Sequence, residues 1–319
     1  MQIGLVGLGK MGGNMRERIR NAGHTVIGYD RNQEISDSTS LQDMVDQLTE
    51  GPKIVWVMLP VQFVDDTISQ LRDMLNPGDI VIDGGNSKYT NDPRHAEFLA
   101  EKQIGFLDCG VSGGIWGLKL GYALMVGGKA EDVATVQPIF DALKPEGDAG
   151  FVHAGDHGAG HFAKMVHNGI EYALMQAYAE GWELLEKADM VTDVPATFAS
   201  WKEGTVIRSW LLDLMVDALD KDPHLDQIDD IAEDSGEGRW TVNAAIDLGV
   251  PVPTIAASLF ARFVSQQDEK PAMKMIAAMR NEFGGHAVVA AGNRTQADQI
   301  VAGEGGNPVT GMTPKAPTN

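Results

Sequence analysis

The apolar positions of the first half of the chain fall in short runs at 2–6, 25–29, 54–59, 80–82, 106–109, 123–126 and 150–153. Each run is mostly apolar rather than alternating, the pattern of strands buried on both faces of a parallel sheet. Between them, residues 10–22, 64–75, 93–102 and 133–143 carry apolar side chains at helical spacing. Strand and helix alternate, which predicts an α/β domain. The alternation stops near residue 157. Beyond it only helical periods are found: one ending near 187, then 195–201, 206–219, 254–267 and 271–283. The predicted fold is a Rossmann-type α/β domain over 1–156 followed by an all-α domain over 157–302. Residues 303–319, rich in Gly, Pro and Thr, are expected to be a disordered tail.

The first strand runs directly into Gly7-Leu8-Gly9-Lys10-Met11-Gly12, and these residues open a helix. Gly7 permits the tight turn, Gly9 lets the backbone approach a pyrophosphate, and Gly12 lets helix and strand pack closely. Three glycines at this spacing are weak evidence alone. Between a strand and a helix they indicate a dinucleotide loop. The second strand ends at Asp30, where a carboxylate can accept from a ribose 2′-hydroxyl and repels a 2′-phosphate. NAD is therefore expected over NADP. Arg31 is the counter-indication, because an arginine can hold that phosphate. Asn32, with Leu59 and Pro60 where the third strand ends, is expected to line the same nucleotide. Glycine-rich loops also follow the next strands, at Asp83-Gly84-Gly85-Asn86-Ser87 and Val111-Ser112-Gly113-Gly114. In a parallel sheet such carboxyl ends share one edge, where ligands bind. Asn86 and Ser112 are placed to meet a ligand; plain turn chemistry is the other reading.

The helix that opens the second half carries Lys164, His167, Asn168 and Glu171, at spacings 0, +3, +4 and +7. At 3.6 residues per turn these form one stripe. Phe162, Met165, Val166, Ile170, Ala173 and Leu174 surround it, so the helix reads as buried on most sides with its polar stripe facing a cavity. A lysine and a carboxylate two turns apart there suit a base and an acid. A solvated ion pair is the competing reading, and the His and Asn between them weigh against it.

Composition narrows the partners. The formal net charge of −20 argues against nucleic acid and anionic membrane. It would not attract an anionic substrate either, so any anion site must be a local basic cluster. Excess acid also suits a high-salt cytoplasm, where screening relieves self-repulsion. No apolar run is long enough to cross a bilayer, and a strand at residue 2 leaves no room for a signal peptide. One cysteine, Cys109, gives no intrachain disulfide and fits a reducing, cytoplasmic setting. It has no evident base beside it and reads as a core residue. The histidines do not pair with Cys or acids at ligand spacing, so no metal is expected. The acidic stretch 223–234 lacks the glycine and spacing of a calcium loop.

The motifs G-L-G-K-M-G, D-G-G-N-S, V-S-G-G, G-A-G-H-F-A-K-M-V-H-N-G-I-E-Y, E-D-S-G-E-G-R-W-T, F-A-R and R-N-E-F-G-G-H span residues 2 to 286 in order. With them the chain resembles the decarboxylating 6-phosphogluconate dehydrogenases in their short-chain form. The resemblance implies that Lys164 is the general base on the C3 hydroxyl and, once protonated, polarises the C3 carbonyl during loss of carbon dioxide. It implies that Glu171 protonates C1 of the enediol to give ribulose 5-phosphate. Asn86, Ser112, Gly113, Gly114, His167 and Asn168 would hold the sugar acid. Tyr172, Arg262 and, across a homodimer interface, Arg280 would hold its phosphate. His286 would also cross the interface, which makes 157–302 the substrate and dimerisation domain. Larger dimer-based oligomers are left open.

Longer relatives carry a lysine and a threonine around the glycine turn that contact phosphate, where this chain has Ser235 and Glu237. Glu237 does not suit a phosphate, and Arg239 is the candidate substitute. Two other readings are weighed. A non-decarboxylating β-hydroxyacid dehydrogenase, such as one acting on 3-hydroxyisobutyrate, would keep Lys164 without needing Glu171, Arg262 or Arg280. An NAD-binding sensor would bind cofactor without turnover.

Overall fold

The structure, a computed structural model, describes residues 1–284 and Val288. His286 and the 303–319 segment lie outside the described residues. The chain begins as β1 (Gln2–Val6), α1 (Lys10–Asn21), β2 (Thr25–Tyr29), α2 (Leu41–Gln47), β3 (Ile54–Val57), α3 (Val64–Met74) and β4 (Ile80–Asp83). It continues with α4 (Asp92–Ala100), β5 (Gly105–Ser112), α5 (Gly117–Leu120), β6 (Ala123–Gly128), α6 (Ala130–Leu143) and β7 (Phe151–Gly155). Six helices follow among the described residues: α7 (Ala159–Glu186), α8 (Val194–Ser200), α9 (Trp210–Leu219), α10 (Glu237–Asp247), α11 (Pro253–Ser265) and α12 (Pro271–Gly284). This is a Rossmann-like α/β domain followed by helices. The described residues form two compact units, Met1–Asp226 with Asp234–Leu259, and Gln227–Glu233 with those from Phe260 on.

In the first unit the sheet order is β2-β1-β3-β4-β5-β6-β7. Strands β1 to β5 are mutually parallel, and their apolar side chains feed a core on each face. Strand β6 departs from the expected parallel sheet. It pairs antiparallel with β5, and β7 runs parallel to β6. The physical reason is the short connection 113–122, because a parallel partner needs a crossover of about a dozen residues or more. The carboxyl ends of β6 and β7 therefore lie at the opposite edge from those of β1 to β5.

Helix α2 goes beyond the periodicity reading. Ser40 caps it by accepting from Asp43 N at 3.0 Å, and Leu41, Met44 and Val45 are buried. Two turns are too short to stand out from a polar stretch, and the helix rests on packing rather than propensity. Helix α10 starts at Glu237, inside the glycine turn around Gly236 and Gly238. In the second unit, Gln266 Nε2 donates to Ala232 O at 2.8 Å and Arg262 Nη1 to Glu233 O at 2.8 Å, tying α11 to the acidic segment. Among the described residues no helix is long and apolar enough to cross a membrane.

Candidate active site

The glycine loop has the geometry a pyrophosphate needs. Gly7 has φ 91°, a Cβ on Gly12 would lie 1.9 Å from Gly7 O, and a Cβ on Gly9 would meet nothing within 4 Å. The first amides of α1 have no side-chain cap, which leaves them for an anion. Asp30 sits at the end of β2. Its Oδ2 accepts from Leu8 N at 2.7 Å and its Oδ1 from Asn32 N at 2.8 Å. The carboxylate so holds the loop in place. A cavity of about 230 Å³ opens beside it, lined by Gly7, Asp30, Arg31, Leu59, Pro60 and Phe63 among others. Arg31 stacks over Phe63, with Cζ 4.6 Å from the ring centroid. Sequence reading missed Phe63, which lies in a short 3-10 turn ahead of α3. Lys10 is exposed, and Met11 packs against the core. These residues fit an NAD-type dinucleotide.

Helix α7 lies directly on the sheet. A Cβ on Gly110 of β5 would come within 2.3 Å of Lys164 Cβ, so only a glycine there lets the lysine stem cross the strand. Asp108, also on β5, accepts from Gly158 N at 2.6 Å and from His161 N at 2.9 Å. A carboxylate at that end of a helix offsets its dipole and its unsatisfied amides. Lys164 is thereby held two strand positions before Ser112. Its Nζ donates to Asn168 Oδ1 at 2.5 Å. Burial pushes the Lys164 amine below the usual lysine range, and the Glu171 and Glu237 carboxylates act against that shift. His167 Nδ1 lies 3.0 Å from Asn168 Oδ1 and 3.9 Å from Glu171 Oε2. Lys164, His167, Asn168 and Glu171 form one hydrogen-bonded and electrostatic stripe.

Other anticipated residues divide between the units. Asn86 follows β4 and Ser112 ends β5, at one edge of the sheet because the two strands are parallel. Gly113 and Gly114 turn the chain there with φ 145° and 53°. Tyr172 is buried, with its hydroxyl 3.0 Å from Ser235 Oγ and accepting from Ser235 N at 3.1 Å. Arg239 grips Asp234 Oδ2 through Nε at 3.1 Å and Nη2 at 2.6 Å. Arg262 and the exposed Arg280 belong to the second unit.

Two expectations need correction. Helix α7 is not buried on most sides: Ile170 is 49% exposed, and Leu174 and Met175 are each 43% exposed. The apolar flank they form continues from the stripe and is uncovered in the single chain. The spacing argument against histidine–acid pairing also misses what the fold does. Asp83, Asp92 and His161 are buried with one ligand atom of each within 4.8 Å of the others. His161 Nδ1 lies 2.9 Å from Asp92 Oδ2.

The buried cluster pushes the protonation of both His161 and Asp92 upward. Burial alone would push His161 down, but the hydrogen bond and charge of Asp92, with Asp83 and Asp108, push it up to about 9. Burial pushes Asp92 up to about 7, the His161 bond only partly opposing it. Both folded-state values exceed the unfolded ones. The His161 contribution is complete below about 6.5 and is lost as pH rises through about 9. The Asp92 contribution already declines as pH rises toward about 7. We expect the melting temperature to fall as pH is raised from 6.5 to 9 and His161→Asn to flatten that fall. Parallel curves for the two proteins would count against the paired histidine as the cause.

Comparison with known proteins agrees with this geometry. The profile for the NAD binding domain of 6-phosphogluconate dehydrogenase matches residues 2–147, and that for the 6-phosphogluconate dehydrogenase C-terminal domain matches residues 160–299. YqeC of Bacillus subtilis is 43% identical over 296 residues, covering 90% of this chain and 99% of its own. The NAD(+)-dependent, decarboxylating 6-phosphogluconate dehydrogenase of Haloferax volcanii is 40% identical over 299 residues, covering 90% and 98%. Among solved structures, Plasmodium falciparum 6-phosphogluconate dehydrogenase is 28% identical with a TM-score of 0.76, covering 94% of this chain and 68% of that one. A Mycobacterium tuberculosis 3-hydroxyisobutyrate dehydrogenase, 22% identical with a TM-score of 0.65 over 83% of this chain and 94% of its own, shares the fold. The chain belongs to the 6-phosphogluconate dehydrogenase family.

Proposed function

We propose that this chain oxidises and decarboxylates 6-phosphogluconate to ribulose 5-phosphate and carbon dioxide. The observation that carries the reading is Lys164, desolvated against β5 and bonded to Asn168, with Glu171 one stripe position beyond. A desolvated lysine has a larger neutral fraction and can take the proton from the C3 hydroxyl. NAD, when bound, supplies the hydride acceptor. Lys164, now a cation, polarises the C3 carbonyl as the carboxylate leaves. Glu171, with a half-exposed side chain, protonates C1 of the enediol. Asn86, Ser112, Gly113, Gly114, His167 and Asn168 hold the sugar acid in this reading. Tyr172 and Arg262 hold the phosphate together with Arg280 of a second subunit, and His286 reaches across the same interface. The Tyr172–Ser235 contact supports a phosphate role for Ser235, and the Asp234 grip on Arg239 speaks against one for that arginine.

The proposal includes a division of labour, with 1–156 binding cofactor and 157–302 binding substrate and forming a homodimer. The apolar flank of α7 supports that dimer, since a second subunit would cover it. The cofactor is NAD. Asp30, fixed at the strand end, disfavours a 2′-phosphate, and the Haloferax volcanii relative is named NAD(+)-dependent. Steady-state assays test both points together. With 6-phosphogluconate, kcat/KM for NAD should exceed that for NADP, and Asp30→Ser should narrow the gap. Unphosphorylated gluconate and 3-hydroxyisobutyrate should be poor substrates. A wild type that prefers NADP would move the discriminating role to Arg31, and turnover of 3-hydroxyisobutyrate alone would overturn the reaction assignment.

A further inference from the structure

Glu237 is 6% exposed at the first position of α10, a burial that carboxylates avoid unless paired. It is brought there by close packing of α10 on α7. A Cβ on Gly238 would lie 2.6 Å from the Tyr172 ring, so that helix start can sit against the tyrosine. The Thr241 hydroxyl lies 2.7 Å from Glu237 O and 2.9 Å from Met165 O, sharing its proton between the two helices. The result is one bond into the stripe: Asn168 Nδ2 donates to Glu237 Oε1 at 2.8 Å.

An ionised carboxylate only accepts hydrogen bonds. Glu237 therefore fixes which way the Asn168 amide faces. With Nδ2 committed to Glu237, Oδ1 must face the Lys164 amine and His167 Nδ1. We propose that Glu237 is a positioning residue for Lys164, acting through Asn168 and keeping a buried anion beside the amine. The proposal rests on the reading of Lys164 as the base.

The anion has a use that Glu171 cannot serve. Lys164 must take a proton in the first step and keep it while carbon dioxide leaves. Desolvation alone would make it too poor a proton holder for the second task. Glu171 opposes desolvation too, but as the acid that protonates the enediol it changes charge during turnover. Glu237 is enclosed and delivers no proton in this reading, so its opposition to the desolvation of Lys164 is not spent during turnover. Among the described residues, the charges acting on Lys164 are Glu171 on its own helix and Glu237 on α10, with His167 against the same Asn168 oxygen. On the sheet side β5 presents Gly110 to the lysine stem, while Asp108 and Asp92 are turned to the first turn of α7.

The test uses Glu237→Gln, which keeps an acceptor for Asn168 and removes the charge, and Glu237→Asp, which keeps the charge. The first readout does not depend on activity. Lys164 is labelled with acetic anhydride across a pH series and quantified by peptide mass spectrometry in the full-length protein. The second readout is the acid limb of kcat against pH with 6-phosphogluconate. In Glu237→Gln both midpoints should move to lower pH relative to wild type, and Glu237→Asp should restore them toward it. A labelling midpoint that stays in place or moves upward in Glu237→Gln overturns the inference. A labelling midpoint that falls while the kinetic limb stays put upholds Glu237 and removes Lys164 as the base. If Glu237→Gln does not fold, the two readouts on Glu237→Asp decide. Midpoints within error of wild type support the charge, and a fall overturns it.

Discussion

Replacing Lys164 with methionine should lower the rate of NAD reduction by about 10²- to 10⁴-fold, the usual contribution of a positioned base. Methionine matches the stem that crosses Gly110, so the packing of α7 on β5 survives. What disappears is the amine and its bond to Asn168 Oδ1. Removing a desolvated cation costs the fold little, and the melting temperature should stay near wild type or rise. The measurement is pre-steady-state NADH formation alongside a thermal melt. NADH formation near the wild-type rate would remove Lys164 from the chemistry. An inactive protein that melts early would leave only a structural role.

The second large effect is expected at Arg280. It is exposed on α12, and the chain as a whole carries a net charge of −20. A phosphate needs a local cation in that field, and a bidentate arginine is the best-suited donor. Arg280→Ala should lower kcat/KM for 6-phosphogluconate by about 30- to 3,000-fold, the cost of truncating a hydrogen-bonded charge partner. If Arg280 acts on a second subunit's site, Lys164→Met and Arg280→Ala proteins should complement one another. Each mixed dimer would then hold one intact site, with Lys164 from one chain and Arg280 from the other. Activity should reappear on subunit exchange. No recovery, with exchange demonstrated by tagged subunits, would place Arg280 in its own chain's site or outside the chemistry.

Local signals made much of this molecule readable from its sequence. Gly7, Gly9 and Gly12 work within one turn, so their spacing reports their geometry directly. The Lys164 to Glu171 stripe lies on one helix, where spacing alone fixes which side chains share a face. The features that escaped depend on contacts between distant residues. Asn168 and Glu237 are 69 positions apart, as are Asp92 and His161, and no spacing rule spans such a gap. The reversal of β6 followed from connection length, which a count of strands does not weigh. The apolar flank at Ile170 and Leu174 was read as buried because periodicity reports which face is apolar, not what covers it.

Turnover of 6-phosphogluconate labelled with carbon-13 in its carboxyl group, run with NAD in deuterated water, tests the central claim most directly. One labelled carbon dioxide should appear for each NADH, with ribulose 5-phosphate carrying deuterium at C1, the position that Glu171 protonates in the proposed mechanism. In Glu171→Gln the deuterated product should form far more slowly. NADH without labelled carbon dioxide, or no NADH at all, would contradict the account.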